Sequence, residues 1–334
     1  MKRTLGIVVL LTIVSCLVFA QGGVESVNTG KPYVLTLGHG SAIDSLEDKA
    51  VNVIAEQAKK LSNGRLDVQV FPAEQLGNFS SMMASTSNGS QDIVWGDLTW
   101  LGNVVKDYQV LSMGYAFRDQ DHINAFMDSE IGQNLKQQLL KNTNILLLTS
   151  HANSLPRVTV SKFPIKTPSD LKNVKMRVPG IPIFVEVWTA METKPTSVSW
   201  GEVYLALQQG VVDAMECGFE FVYPQKFYEV ATYITLTNHV RGLRGMLINN
   251  DSYKKLPADL QAILLAAGEA GEKYYNNELV KLEKEHAEKL IAAGAIINQV
   301  DIPTFQAKMG ALVKKLESEK FWSAGLFDNI QKIK

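Results

Sequence analysis

Two rhythms of apolar and polar positions alternate along the first 150 residues. Residues 33–37, Tyr-Val-Leu-Thr-Leu, form a short apolar run of strand length, and residues 66–70, Leu-Asp-Val-Gln-Val, alternate with period two. Both read as strands, the second ended by Pro72. Between them Asp44 or Ser45 caps a helix expected to reach about residue 61 and to stop at Asn63-Gly64. A helix over 79–86, a strand over 92–95 and an all-apolar strand over 145–148 follow. Strands alternating with helices predict an α/β sheet covered by helices on both faces. A second block begins near Pro156 with a strand over 157–160. There Thr167-Pro168-Ser169-Asp170 starts a helix, with Thr167 as cap, Pro168 at the first helical position and Asp170 reaching back. A strand over 174–178 and helices over 182–193, 199–209 and 222–228 are expected next. From 257 to about 293 the pattern stays helical, with Gly268 and Gly271 as weak points. About 36 residues at ~1.5 Å each would span ~54 Å, so this helix is expected to run across two lobes.

Length and composition narrow the class. At 334 residues, 46% apolar and 20% charged, the chain reads as an ordinary globular protein of two domains. A net charge of −1 without a basic block argues against nucleic acid as a partner. Lys2 and Arg3, an apolar stretch from Leu5 to Val14 and Val18-Phe19-Ala20 form a signal peptide over residues 1–20, cut before Gln21. The rival reading takes Ile13-Val14-Ser15-Cys16 as a lipoprotein box with Cys16 lipidated. Either way the chain is exported, to the periplasm, and Cys217 is left without a disulfide partner.

The chemistry centres on Arg177, in the extended segment Lys175-Met176-Arg177-Val178-Pro179. An arginine at a strand end, followed by Pro-Gly and a helix, can present its guanidinium to a cleft. That group is planar, permanently charged and bidentate, so its natural small-molecule partner is a carboxylate. Trp95 and Trp100 flank Gly96-Asp97 at another strand end, where α/β sheets place ligands. His39, in the first strand-to-helix loop, is a further cleft candidate, whereas His286, among Glu283, Glu285 and Glu288, is expected on a solvated face. The five histidines show no metal-ligand spacing, and no cofactor is called for. There is no Gly-x-Ser-x-Gly elbow, phosphate loop or dinucleotide fingerprint. An enzyme is therefore not expected, and a secreted hydrolase stands as the remote alternative.

A set of motifs, in order and at matching spacing, carries a family resemblance. They include Asn63-Gly64-Arg65-Leu66 with Phe71-Pro72 and Gln75-Leu76-Gly77, then Phe117-Arg118-Asp119 and residues 164–171 and 175–178. Glu202-Val203-Tyr204 with Ala206-Leu207-Gln208, residues 210–213 with Glu216, residues 226–230 and Thr237-Asn238-His239 follow. From Tyr33 to about Phe327 the chain resembles the solute-binding proteins of tripartite ATP-independent periplasmic (TRAP) transporters. The resemblance implies an α/β, two-lobed periplasmic-binding-protein fold with a ligand cleft between lobes. The lobes would be 31–154 with 243–282, and 155–242 with 283–334. It implies a monomeric receptor that delivers a small carboxylate to membrane components of the transporter. It implies that Arg177 makes the main salt bridge to the carboxylate, that Arg157 helps, that Trp200 lies against the ligand, and that Asp97 contacts its polar groups.

The chain departs from the family pattern where relatives often carry an asparagine that donates to the carboxylate: Cys217 stands there, with Gly218 after it and the new carboxylate of Glu220 close by. Trp100 stands where sialic-acid receptors have arginine. These changes argue against sialic acid and for a hydroxylated monocarboxylate such as a sugar acid, with Asp97 and Glu220 as hydroxyl acceptors. A C4-dicarboxylate or a keto acid is the alternative.

Overall fold

The structure, a computed structural model, describes residues 30–334, so the expected signal peptide and the lipid site at Cys16 lie outside the described residues. The first block runs β1 (Tyr33–Gly38), α1 (Leu46–Leu61), β2 (Leu66–Phe71), α2 (Phe79–Asn88) and β3 (Ile93–Asp97). α1 starts where the sequence places it, with Ser45 Oγ accepting from the Asp48 backbone, and it stops at left-handed Asn63 and Gly64. Then come α3 (Gln120–Asp128), α4 (Glu130–Thr143) and β4 (Ile145–Asn153). The second block holds β5 (Arg157–Ser161), β6 (Lys175–Val178), α5 (Pro182–Ala190), β7 (Lys194–Ser197), α6 (Val203–Gln208), β8 (Ala214–Gly218), α7 (Phe219–Val222) and β9 (Tyr233–Leu236). The chain then returns through β10 (Leu243–Asn249) and α8 (Asn250–Lys255) into α9 (Ala258–Ala292). It closes with β11 (Ile296–Gln299), α10 (Ile302–Gln306), α11 (Met309–Ser318) and α12 (Leu326–Gln331).

The strands form two mixed sheets, ordered β2-β1-β3-β10-β4 and β11-β9-β5-β8-β6-β7. β10 enters the first sheet late and antiparallel, between β3 and β4. Its apolar run is broken by Arg244-Gly245, which hides it from a reading by periodicity. β7 and β11 are four residues each and half-exposed, too short to announce themselves. Three expected helices change form. The one started by Thr167 is a single 3-10 turn over Pro168–Leu171, with the Thr167–Asp170 capping box in place. The segment 199–209 divides into a 3-10 turn, Trp200–Glu202, and α6. No helix spans 222–228: α7 ends at Val222, Pro224 follows, Lys226 takes a left-handed φ of 57°, and a 3-10 turn over Phe227–Glu229 is all that remains.

The long helix is continuous over 35 residues, about 52 Å. It packs on α1 and β4 of the first sheet and on α7 and β11 of the second block. Gly268 and Gly271 are not weak points. They are where neighbours press in: a Cβ on Gly271 would stand 2.4 Å from Ile54 Cγ1, and one on Gly268 2.6 Å from Met246 Cε. Further along, α9 closes the open edge of β4. Glu272 Oε1 accepts the His151 backbone N–H at 2.8 Å, while Asn276 accepts from Asn153 N and donates to His151 O, both at 2.7 Å. Side chains thus replace a missing neighbour strand. His286 does not face solvent as expected. It is buried 5.3 Å from the Tyr223 ring, and burial drives its pKa down to about 4.

Buried apolar side chains fall into two clusters, and each draws on strands of both sheets. Residues Pro32–Lys334 accordingly pack as one compact unit. Gly271→Val should cost about 1–3 kcal/mol through overpacking against Ile54 and the Ala50 carbonyl. Urea unfolding of the purified variant checks this, and an unchanged midpoint would contradict the packing.

Candidate functional site

A cavity of about 240 Å³ lies where the carboxyl ends of β3 and β6 face each other, with the loops after β1 and β2 and the segment 197–200 around it. Its walls carry Arg177, Arg157, Arg244, Asp97, Trp100 and Trp200. Cys217 also lines it, buried and reduced, with burial pushing its thiol pKa up.

β8 separates the two arginine-bearing strands of the second sheet. Arg157 opens β5 opposite Gly218, and Arg177 on β6 pairs with Met215. The two guanidinium groups meet different fates. Arg157 is paired: Nε and Nη2 engage both oxygens of Glu216, the latter at 2.8 Å, and Nη1 donates to Asp97 Oδ2 at 3.1 Å. Glu216 is fully buried, which opposes its charge, yet Arg157 and His239 hold its carboxyl down at about 2. His239 supplies a further contact, Nε2 to Glu216 Oε2 at 3.2 Å, and its Nδ1 is held by Thr237 Oγ1 at 2.9 Å. Arg157 is therefore an internal strut between the sheets that also lines the cavity, with three of its five N–H groups committed to Glu216 and Asp97.

Arg177 is different. It is 2% exposed, and its Nε donates to the Val198 carbonyl at 3.0 Å. Among the described residues no carboxylate lies within salt-bridge distance of it. Trp200 stands against the guanidinium, 5.7 Å from carbon to ring centroid. Burial drives its pKa down to about 10, with Glu216 opposing the drop and Arg157 adding to it. A buried cation with unfilled terminal N–H groups beside a cavity is a seat for an anion. Trp200 is itself fixed edge-on by Phe221 and Phe227, at 5.7 and 5.3 Å.

Two sequence candidates lie outside the lining. His39 is fully buried and bonded to Asp48 Oδ1 at 3.1 Å, while its Nδ1 takes the Ser41 N–H. It props the loop whose Gly40 and Ser41 line the cavity. Glu220 sits behind Gly218, near Tyr275 Oη at 3.5 Å, with Oε2 unpartnered, and is not part of the cavity lining. Asp97 lines the cavity, but its oxygens already serve Arg157 and Thr99. The sequence reading missed Arg244. Its Nη2 meets Glu47 Oε2 at 2.8 Å and its guanidinium lies 4.7 Å from the Phe221 ring. The signal was present: within β10, Leu243–Asn249, it is the one charged residue. Glu74 was missed too. Half-buried, it is lifted above the usual carboxylate range by burial, with the Gly201 backbone amide pulling the other way.

These features define a solute receptor whose site is built from both sheets. The model of the bacterial extracellular solute-binding proteins, family 7, matches residues 37–320. A solute-binding protein of Roseobacter denitrificans is 31% identical over 274 residues, covering 82% of this chain and 83% of that one. The crystal structure of that protein, with bound L-galactonate, superposes with a TM-score of 0.84 at 28% identity, covering 91% and 99% of the two chains. A TRAP periplasmic solute-binding protein of Actinobacillus succinogenes, also with L-galactonate, gives 0.85 at 27% identity, over 90% and 98%. One from Sulfurospirillum deleyianum with bound succinate gives 0.83 at 26% identity, over 91% and 100%. The chain belongs to the family 7 extracellular solute-binding proteins, and the TRAP-receptor resemblance carried by its motifs holds.

Glu220 gives a pH dependence with a definite sign. Burial raises its pKa from 4.5 to about 7, Arg244 opposing. A carboxyl whose folded pKa is raised contributes stability that is complete below the unfolded value and lost as pH climbs through the folded one. The stability difference between wild type and Glu220→Gln should therefore fall by about 3 kcal/mol from about pH 4.5 to above about pH 7. Paired thermal melts across that range check it, and a pH-independent difference would refute it.

Proposed function

We propose that this receptor binds a hydroxylated monocarboxylate, a sugar acid of about six carbons, with the carboxylate on Arg177 and the carbon body against Trp200 and Trp100. The observation that carries this is the inequality of the three arginines. Arg157 and Arg244 are already neutralised by Glu216, Asp97 and Glu47, while Arg177 has no carboxylate partner among the described residues. One open cation suits one carboxylate. A dianion would need a second cation released from a buried pair, and removing one partner from such a pair costs about 3–5 kcal/mol. Hydroxyl groups find partners in Asn78, Ser199 and the remaining lone pairs of Asp97, all on the lining. Two relatives above 25% identity hold L-galactonate, in keeping with this choice. The relative with succinate keeps a C4-dicarboxylate as the second reading.

The receptor closes on its ligand and hands it to membrane components of a TRAP transporter, acting as an exported monomer without cofactor. Arg177→Ala should lower affinity by roughly a hundredfold to a few thousandfold while the fold survives. Arg177→Lys should also bind poorly, because the fork geometry is lost. Calorimetry with L-galactonate, D-glucuronate, succinate, malate and sialic acid tests both variants and the class. Tightest binding by succinate or malate, with no heat from either sugar acid, would replace this reading with the dicarboxylate one.

A further inference from the structure

Two polar side chains of the first block reach across the mouth of the cavity, and each ends on a glycine of the opposite wall. On one flank Asn103, closing the 3-10 turn after β3, donates from Nδ2 to the Gly180 carbonyl at 3.1 Å. Trp100 of the same turn packs there, 3.8 Å from where a Gly180 Cβ would stand. On the other flank Glu74 Oε2 is 2.7 Å from the Cβ position of Gly201, whose backbone amide faces the carboxylate. The two glycines lie in the segments that carry Arg177 and Trp200, so both contacts bear on the walls that form the anion seat.

The backbone under Glu74 is strained to make this reach. Ala73 and Glu74 are consecutive non-glycine residues at φ 52° and 60°. Left-handed backbone is unfavourable for such residues and persists only where its surroundings over-determine it. Here Ala73 N donates to Ser41 O and Glu74 N to His39 O, both at 3.1 Å. The result of that strain is a carboxylate aimed across the mouth rather than into solvent. Glu74 is not bonded to Arg177, whose hydrogen bond goes to Val198.

We propose that Glu74 and Asn103 are closure clasps: they engage Gly201 and Gly180 as the two walls meet, hold the cleft shut, and so set how long a ligand stays. This rests on the reading of the cavity as the ligand site. Hinge closure needs contacts that exist in the closed state alone, and these two form between elements of different sheets. Gly201 is part of the device. A side chain there would meet Glu74 Oε2 and displace that carboxylate from the glycine, so its effect depends on Glu74 being present.

Stopped-flow tryptophan fluorescence with L-galactonate and with D-glucuronate tests the proposal. The double variant Glu74→Ala/Asn103→Ala should release either acid at least tenfold faster, with little change in association rate. Gly201→Ala should also speed release, and Gly201→Ala combined with Glu74→Ala should release no faster than Glu74→Ala alone. Wild-type release from the double variant, or a Gly201→Ala defect that survives removal of Glu74, overturns the clasp. If neither acid binds the wild type, the ligand reading falls by itself. The clasp is then decided by amide exchange at Gly201 in the protein saturated with succinate, malate or sialic acid, whichever calorimetry shows to bind. Protection that Glu74→Ala removes supports it, and an exchange rate unaffected by that substitution overturns it.

Discussion

The junction of Arg157 with Glu216 and Asp97 is the interaction on which the site depends. Arg157 and Glu216 sit on adjacent strands of the second sheet, while Asp97 ends β3 of the first. One guanidinium therefore ties the sheets together at the floor of the cavity. All three groups are buried or nearly so, where an unpaired charge is costly and a paired one is held to a narrow geometry. His239, Thr237 and Thr159 extend the bonding behind Glu216. The floor is thus rigid before any ligand arrives, which is the condition for recognising a small charged molecule without further ordering cost.

Because Glu216 is consumed by Arg157, Arg177 is left without a counter-ion. The two guanidinium groups are close enough to repel, and that repulsion adds to the burial that lowers the Arg177 pKa. An incoming carboxylate relieves both effects at once. The third arginine, Arg244, shows the same design principle as Arg157: Glu47, bonded by Ser41 Oγ at 2.6 Å, neutralises it and fixes its plane against Phe221. The cavity therefore presents one open positive position among charges that otherwise sum negative, with Arg157 and Arg244 set against Glu47, Glu74, Asp97 and the underlying Glu216. This favours a single carboxylate and disfavours a second.

The proposed closure requires a fold that lets the walls move without losing that floor. Chain passes between the sheets at β4 to β5 and at β9 to β10, and α9 packs on both. β4 is held to α9 by Glu272 and Asn276 up to Asn153, immediately before the crossing. The crossing segments are short and begin from fixed strand ends, so bending is confined to a few residues.

Most of the architecture was legible in the chain itself. Period-two and period-3.6 patterns, Ser45 and Asn63-Gly64 at the ends of α1, and the unbroken pattern of α9 reflect local rules that operate wherever the chain lies. Arg177 was legible for a related reason: an arginine at a strand end, followed by Pro-Gly and a helix, is placed to present its guanidinium to a cleft. What tertiary structure decided was which charges meet. Sequence cannot tell that Glu216, across the β5–β8 ladder, is bonded to Arg157, or that Glu47 and Arg244 pair over nearly two hundred positions. Nor can it tell that Glu220 turns behind Gly218 while Glu74, in a left-handed turn, comes forward. Those outcomes follow from strand order and from two backbone residues at positive φ. A buried charge takes its character from the nearest partner in space, and that partner is set by the fold rather than by the neighbouring residue.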